Sequence, residues 1–250
     1  MAKIGIDLND VVRDFINQFE YYYNKYYNKD VDIQKNPPKT FDLEKYFHFE
    51  DGKKGLYQFL YAEGAYEISA MGQILEVNLL HTLNMFYLSL EKTNNELYII
   101  SREYYKSIPA TYFFLAKGCQ IPNIKFYKQY EDMWNDMDII ITANPKVLRN
   151  KPLDKIGICI TKSYNYNTLC DYRYGKLSDF LNDTQVLDTI IDFKSTEPMW
   201  IRFEKHIVKL LNKIPFFKKD IKKIIKQDII NDRKILDEEY KKIDKKINNL

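Results

Sequence analysis

The chain has 250 residues, 45% of them hydrophobic and 29% charged, with 21 Tyr and 15 Phe but only 8 Gly and 8 Pro. That composition excludes a disordered chain and the collagen-like and low-complexity classes, and the length suits one large domain or two small ones with a sizeable core. A formal net charge of +3 does not by itself imply nucleic acid. No run of about 18 apolar residues occurs, so no membrane span is expected. The opening MAKIGIDLND has acids where a signal peptide needs an apolar run, which argues against secretion. Cys119, Cys159 and Cys170 are scattered and odd in number, with neither metal-type nor disulfide spacing, and suggest a reducing compartment.

In chain order, Lys3–Leu8 (KIGIDL) reads as a short buried strand, followed by a loop at Asn9-Asp10. Val11–Lys25 has Val12, Phe15, Phe19 and Tyr22 at helical spacing. Asn36-Pro37-Pro38 breaks the pattern. Leu43–Ala70 is expected to be helical and aromatic-rich, and Gln73–Glu91 is a further helix. Glu96–Ile100 is a strand ending at Ser101-Arg102-Glu103, and Ala110–Ala116 is a helix that stops near Gly118. Ile124–Tyr127, Asp138–Thr142 and Ile156–Thr161 are three more strands. Alternating strands and helices predict an α/β fold, a doubly wound and mostly parallel sheet covered on both faces. In such folds ligands sit at the carboxyl ends of the strands, which here carry Asp7, Ser101 and Thr142. The expected division is a core of residues 1–12 and 91–185, a small helical cap inserted at 13–90, and a helical C-terminal arm at 186–250.

The tail differs in charge. Residues 205–250 hold 14 Lys/Arg against 7 Asp/Glu, a net of +7, which leaves residues 1–204 at −4. Beyond Pro215 there is neither Pro nor Gly, and Ile225, Ile229, Leu236, Tyr240, Ile243, Ile247 and Leu250 recur in steps of three, four or seven. That is a narrow apolar seam on a charged helix of roughly 50 Å at 1.5 Å per residue. Three readings stay open: a helix packed on its own domain, an arm binding a partner or a second copy through 217–250, or a phosphate-touching segment using Lys218, Lys219, Lys222 and Lys223. The last has no aromatic interleaving or nucleic-acid motif beside it. His48, His81 and His206 are isolated, and Tyr21–Tyr23 point in different directions around a helix, so they read as structural or surface residues.

Asp7-Leu8-Asn9-Asp10-Val11 after an apolar strand resembles the first motif of haloacid-dehalogenase-like phosphohydrolases, in their 5'-nucleotidase branch. The resemblance extends through Glu96–Ser101, the second motif, and Asp138–Leu148 (DIIITANPKVL), the fourth. It also takes in Ile156–Asn165 and the cap stretch Phe59–Ile68, about residues 1–180 in all. It implies a first Asp that attacks phosphorus and a second, two residues on, that serves as acid and base. It further implies Mg²⁺ held by the first Asp and fourth-motif carboxylates, and a Ser or Thr and a Lys on the phosphate oxygens.

This chain departs from that set. Asp7 stands at the nucleophile position and Ser101 at the phosphate-binding one, but Asn9 replaces the acid/base. Asp10 stands where the family usually has Gly, and its direction from the loop makes an exchange of roles unexpected. Thr142-Ala143 replace the paired acids of the fourth motif, so no metal is expected there. Asp138 lies about 13 Å away by strand rise. The phosphate-binding Lys is ambiguous between Lys125 and Lys128. The resemblance therefore implies a degenerate site with Asp7 as a vestigial nucleophile and no cofactor. The expected function is a non-catalytic structural or assembly protein, with protein partners and a home in the cytoplasm or a virion. A phage ring or tail-associated subunit is one form, suggested by the low-GC composition and the phage-like flavour of IGIDLNDVVRDF. The alternative is a Mg²⁺-dependent 5'-nucleotidase or phosphohydrolase working through an aspartyl-phosphate.

Overall fold

In the computed structural model, residues 2–91, 93 and 95–191 are described. Six strands, β1 (Lys3–Asp7), β2 (Glu96–Ser101), β3 (Ile124–Phe126), β4 (Ile139–Thr142), β5 (Ile156–Ile160) and β6 (Tyr172–Tyr174), form one sheet in the order β3-β2-β1-β4-β5-β6. Every pairing is parallel. Eight α-helices are described: α1 (Phe15–Tyr27), α2 (Lys53–Gln58), α3 (Leu79–Glu91), α4 (Ser107–Leu115), α5 (Tyr130–Asp136), α6 (Pro145–Arg149), α7 (Leu177–Leu181) and α8 (Thr184–Ile191). This is the doubly wound α/β arrangement that the sequence predicts, with a sheet that is parallel throughout.

The strands are apolar because both faces are covered. All residues of β4 and β5 are buried. On one face, Ile4, Ile6, Leu97, Ile99, Ile139 and Ile141 join α3, α4 and α7 in the main core. On the other, Ile100 and Ile140 pack with Met133, Trp134, Met137 and Val147 from α5, α6 and the loop before β4. Gly5 fits this crowded middle strand because a Cβ there would stand 2.8 Å from Ile100 Cδ1 and 3.1 Å from Met137 Cγ.

The stretch between β1 and β2 divides in space. Phe15, Phe19, Tyr23, Phe47, Phe59 and Ile68 form a separate aromatic core, the cap, with Phe19 and Phe47 edge to face at 4.5 Å. Leu79, Leu83, Phe86 and Leu90 of α3 belong instead to the main core. The two linkers run side by side: Asp14 N donates to Gln73 O (2.8 Å) and Leu75 N to Val12 O (3.0 Å). That pairing holds 73–78 out of the helix expected from Gln73, so α3 starts at Leu79.

The long helix expected over 43–70 is broken. Residues Leu43–Lys45 make a 3₁₀ turn, α2 starts only after Gly52 (φ 54°), and Phe59–Glu63 and Tyr66–Ala70 are π turns. Helical turns do form over that range, and Leu43, Phe47, Leu56, Phe59, Leu60 and Ile68 are buried, but the helix is not continuous. The helices α5, α6 and α7 and the three-residue strand β6 carry too short a periodic signal to stand out from sequence. Of the arm at 186–250, the described part is α8 as far as Ile191; the seam from Ile225 to Leu250 and residues 217–250 lie outside the described residues.

Candidate functional site

The strand order reverses at β1, so β1 and β4 are neighbours although far apart in sequence, and the ends of such strands open onto a crevice. Register pairs Ile6 with Ile141, which sets Asp7 beside Thr142. Thr142 Oγ1 donates to Asp7 Oδ2 over 2.6 Å, and Asn144 N donates back to Thr142 Oγ1 at 2.9 Å. Asp7 is only 4% exposed. Burial pushes its carboxyl up to about 7, opposed by the Thr142 hydrogen bond and reinforced by the nearby charges of Asp10 and Glu103.

Two residues on, Asn9 is committed to a buried cation. Its Oδ1 accepts from Arg13 Nη2 (2.6 Å) and Nε (3.0 Å), and its Nδ2 donates to Ser101 Oγ (3.4 Å). Arg13 is fully buried and pairs with Glu103 Oε1 at 2.6 Å. Its Nη1 also donates to the carbonyl of Ser69 in the cap (2.8 Å) and to Thr111 Oγ1 on α4 (3.0 Å). Ser101 Oγ in turn donates to Glu103 Oε1 at 3.0 Å. Position 9 therefore holds an amide with no titratable proton, its oxygen fixed on a guanidinium. Arg13 and Glu103 were not singled out from sequence. The available signal was an Arg at helical spacing among the apolar residues of VVRDF, and an acid two residues after the end of ELYIIS.

Asp10 is placed by its backbone, not by chemistry. It adopts φ 59°, the left-handed conformation for which Gly is the easiest residue. Its Oδ1 accepts from Phe15 N and Ile16 N, both at 3.0 Å, which secures the start of α1. Its Oδ2 accepts from Tyr164 Oη at 2.6 Å. Burial raises its carboxyl above the ordinary range, with the Tyr164 bond and Lys162 opposing. Lys125 on β3 pairs with Asp136 at 2.9 Å, and Lys128 contributes its carbonyl to Arg102 Nε at 3.0 Å. Neither lysine lines the cleft described next.

That cleft lies between the cap and the strand ends and, with its open mouth, holds about 860 Å³ of empty space. Asp7 and Asn9 form its floor, and its cations are Lys53, Arg102 and Lys146. The Arg102 guanidinium lies over Tyr130, Tyr104 and Tyr57 at 4.9, 5.2 and 5.6 Å from the ring centres. Because Tyr57 is in α2, this stack joins the cap to the core, as does Lys146 with Asp42 at 3.5 Å.

The residues present do not suit Mg²⁺, which requires an octahedron of hard oxygens. One Asp7 oxygen is taken by the Thr142 hydroxyl, and Ala143 offers no side-chain ligand. Asp138, at the far end of β4, instead accepts from Lys3 N at 2.9 Å. Among the described residues, no group of three or more His, Cys, Asp or Glu is placed to hold a metal ion.

No family model and no curated protein matches the chain. Among solved structures it is similar to YfnB of Bacillus subtilis, described as a HAD-hydrolase bound to magnesium. That match is 15% identical, covers 75% of this chain and 98% of the other, and has a TM-score of 0.43. It is also similar to a dehalogenase with an intermediate complex (13% identity, 72% and 95% covered, TM-score 0.40). A third is a haloacid dehalogenase-like family hydrolase from Xanthomonas campestris (12% identity, 78% and 99% covered, TM-score 0.46).

Proposed function

We propose that this chain is a non-catalytic protein that keeps a phosphohydrolase-like α/β body and its cleft but has lost hydrolysis. The observation that carries this reading is the set of hydrogen bonds at the strand ends. A phosphatase of the aspartyl-phosphate type needs a free carboxylate nucleophile, an acid/base two residues later and a metal to offset the phosphate charge. Here Asp7 is buried and bonded to Thr142, Asn9 is bonded to Arg13, and Thr142 and Ala143 stand where the resemblance implies metal-binding acids. Loss of the acid/base alone costs about 10²–10⁴ in rate. The role that remains is that of a scaffold or assembly subunit. A phage virion component with oligomer contacts through 217–250 is its concrete form, and this rests on the resemblance and on the apolar seam of the tail.

The test is a phosphatase assay on p-nitrophenyl phosphate and on nucleoside 5'-monophosphates, with and without Mg²⁺, for the native chain and Asp7→Asn. The expected result is no turnover above the Asp7→Asn control. Mg²⁺-dependent turnover abolished by that change would overturn the proposal in favour of a working phosphohydrolase. Light scattering of the full chain across concentration tests assembly; a strict monomer, unaltered by removal of 217–250, would count against the subunit role.

A further inference from the structure

One surface helix of the body lacks a polar face. Helix α4 (SIPATYFFL) contains no charged residue. It turns Ala110, Thr111, Phe114 and Leu115 inward. Its outward positions are Pro109, Tyr112 and Phe113, followed by Ala116, where a surface helix ordinarily carries charge. A helix that is apolar all round is stable when both of its sides are covered, and the outer side of α4 stands open.

That side is the centre of an aromatic band. The Phe113 ring meets Tyr66 at 5.9 Å, and Tyr112 meets Phe126 of the edge strand β3 at 5.3 Å. Next to Tyr66, Glu67 Oε1 accepts from Tyr26 Oη at 2.8 Å. From Tyr26 the band continues through Tyr22 (6.5 Å) to Tyr21 (5.0 Å). Tyr21, Tyr26, Tyr66, Tyr112 and Phe113 are 60, 49, 53, 49 and 51% exposed. At about 200 Å² per ring, the open part of these five comes to about 500 Å². A standard interface takes about 800 Å² from each partner, so the rings alone supply more than half of what a stable dimer needs. Scattered apolar side chains need no explanation, but a continuous run of this size marks a contact surface.

The charges about the band are mixed. Glu63 and Glu67 stand near Tyr26, Lys25 near Tyr22, and Lys106 and Lys117 just beyond the two ends of α4. They form no basic stripe to draw a nucleic acid or an anionic lipid surface. Two copies related by a two-fold axis present the same patch to each other, so a self-associating patch must match itself. Tyrosine does so, since its ring packs against another ring and its hydroxyl both donates and accepts.

We infer that the aromatic band formed by Tyr112 and Phe113 on α4, Tyr66, and Tyr21 and Tyr26 on α1 is the surface on which a second copy of this chain docks. Tyr21, Tyr26 and Tyr66 belong to the cap, and Tyr112 and Phe113 to the core, so a copy seated there holds both parts at once. The surface is distinct from 217–250 and draws on neither the cleft nor its chemistry.

Sedimentation velocity of the full chain across about 1–100 µM is expected to show a reversible monomer–dimer equilibrium. Tyr66→Lys with Phe113→Lys places charge in the middle of the band at two half-exposed positions, and circular dichroism verifies the fold. That variant should dimerise at least about tenfold more weakly. Hydroxyl-radical footprinting of the native chain needs no substitution. Tyr66, Tyr112 and Phe113 should be oxidised several-fold less at the top of the concentration range than at the bottom, relative to Tyr166, which is 74% exposed after β5. A chain that stays monomeric, an oligomer that the two lysines leave intact, or band residues oxidised equally at both concentrations each overturns the inference. An oligomer held through 217–250 alone gives the second of these results.

Discussion

Thr142 donates its hydroxyl hydrogen to Asp7 over 2.6 Å, between two strand ends that are 135 residues apart in sequence. Both residues are buried, and the bond occupies one of the two carboxyl oxygens of Asp7. Threonine at the end of β4 thus works on the first aspartate as a neutral donor.

The raised carboxyl of Asp7 has a consequence for stability. The folded state holds its proton up to about pH 7, whereas an unfolded aspartate releases it near 3.8. The stability from that protonated form is complete below the lower value and is lost as pH rises through the upper one. Asp7→Asn, which carries no charge, should therefore gain on the native chain as pH rises from 4.5 to 8, by about 1–3 kcal/mol. Urea unfolding in EDTA at both pH values measures it, and an offset that does not change with pH would refute the burial of a charge at Asp7.

Arg13 and Glu103 are a buried pair at 2.6 Å, so removing one partner leaves the other uncompensated. Arg13→Met should cost about 3–5 kcal/mol. Adding Glu103→Gln should recover more than half of that loss, because the stranded charge goes with it. A denaturant double-mutant cycle reads the coupling, and additive losses would mean the pair is solvated.

Asp10 secures α1 while holding a left-handed backbone. Asp10→Ala loses the cap and the Tyr164 bond and should lower stability by about 1–3 kcal/mol. Asp10→Gly relieves the backbone but loses the same bonds, and should fall between the two. If Asp10 acted in chemistry instead, these changes would leave the melting temperature alone.

Magnesium should not stabilise this chain. A ligand that binds only the folded state raises the melting point in proportion to the logarithm of its concentration over its dissociation constant. About 10 mM MgCl₂ should therefore leave the midpoint of the native chain within about 1 °C of its value in EDTA. Thr142→Asp with Ala143→Asp, which supplies two carboxylates beside Asp7, should acquire a Mg²⁺-dependent rise. A rise in the native chain would show that Asp7 has found other ligands.

Much of the body was legible in the sequence because buried parallel strands must be short apolar runs. KIGID, ELYIIS, IIIT and IGICI each announce themselves, and their ends place Asp7, Ser101 and Thr142 near the crevice. That Asn9, Thr142 and Ala143 carry no carboxyl was equally legible, since a side chain without a carboxyl cannot act as one anywhere in the fold. The breaks in the cap helix and the true start of α3 were not, because a linker that pairs with 12–14 looks the same in sequence as a helix with its spacing.

What the chain alone determined was therefore the sheet, the position of its first aspartate and the absence of a carboxyl at Asn9, Thr142 and Ala143. What only the tertiary structure decided was the use made of the remaining polar groups. Arg13 meets Glu103 across 90 residues and Thr142 meets Asp7 across 135. Lys125 pairs with Asp136 and leaves the cleft to Lys53, Arg102 and Lys146. The physical reason is that local pattern fixes which side chains are apolar and so which segments pack. The partner of a buried polar group is chosen by whatever distant donor the packing brings within about 3 Å.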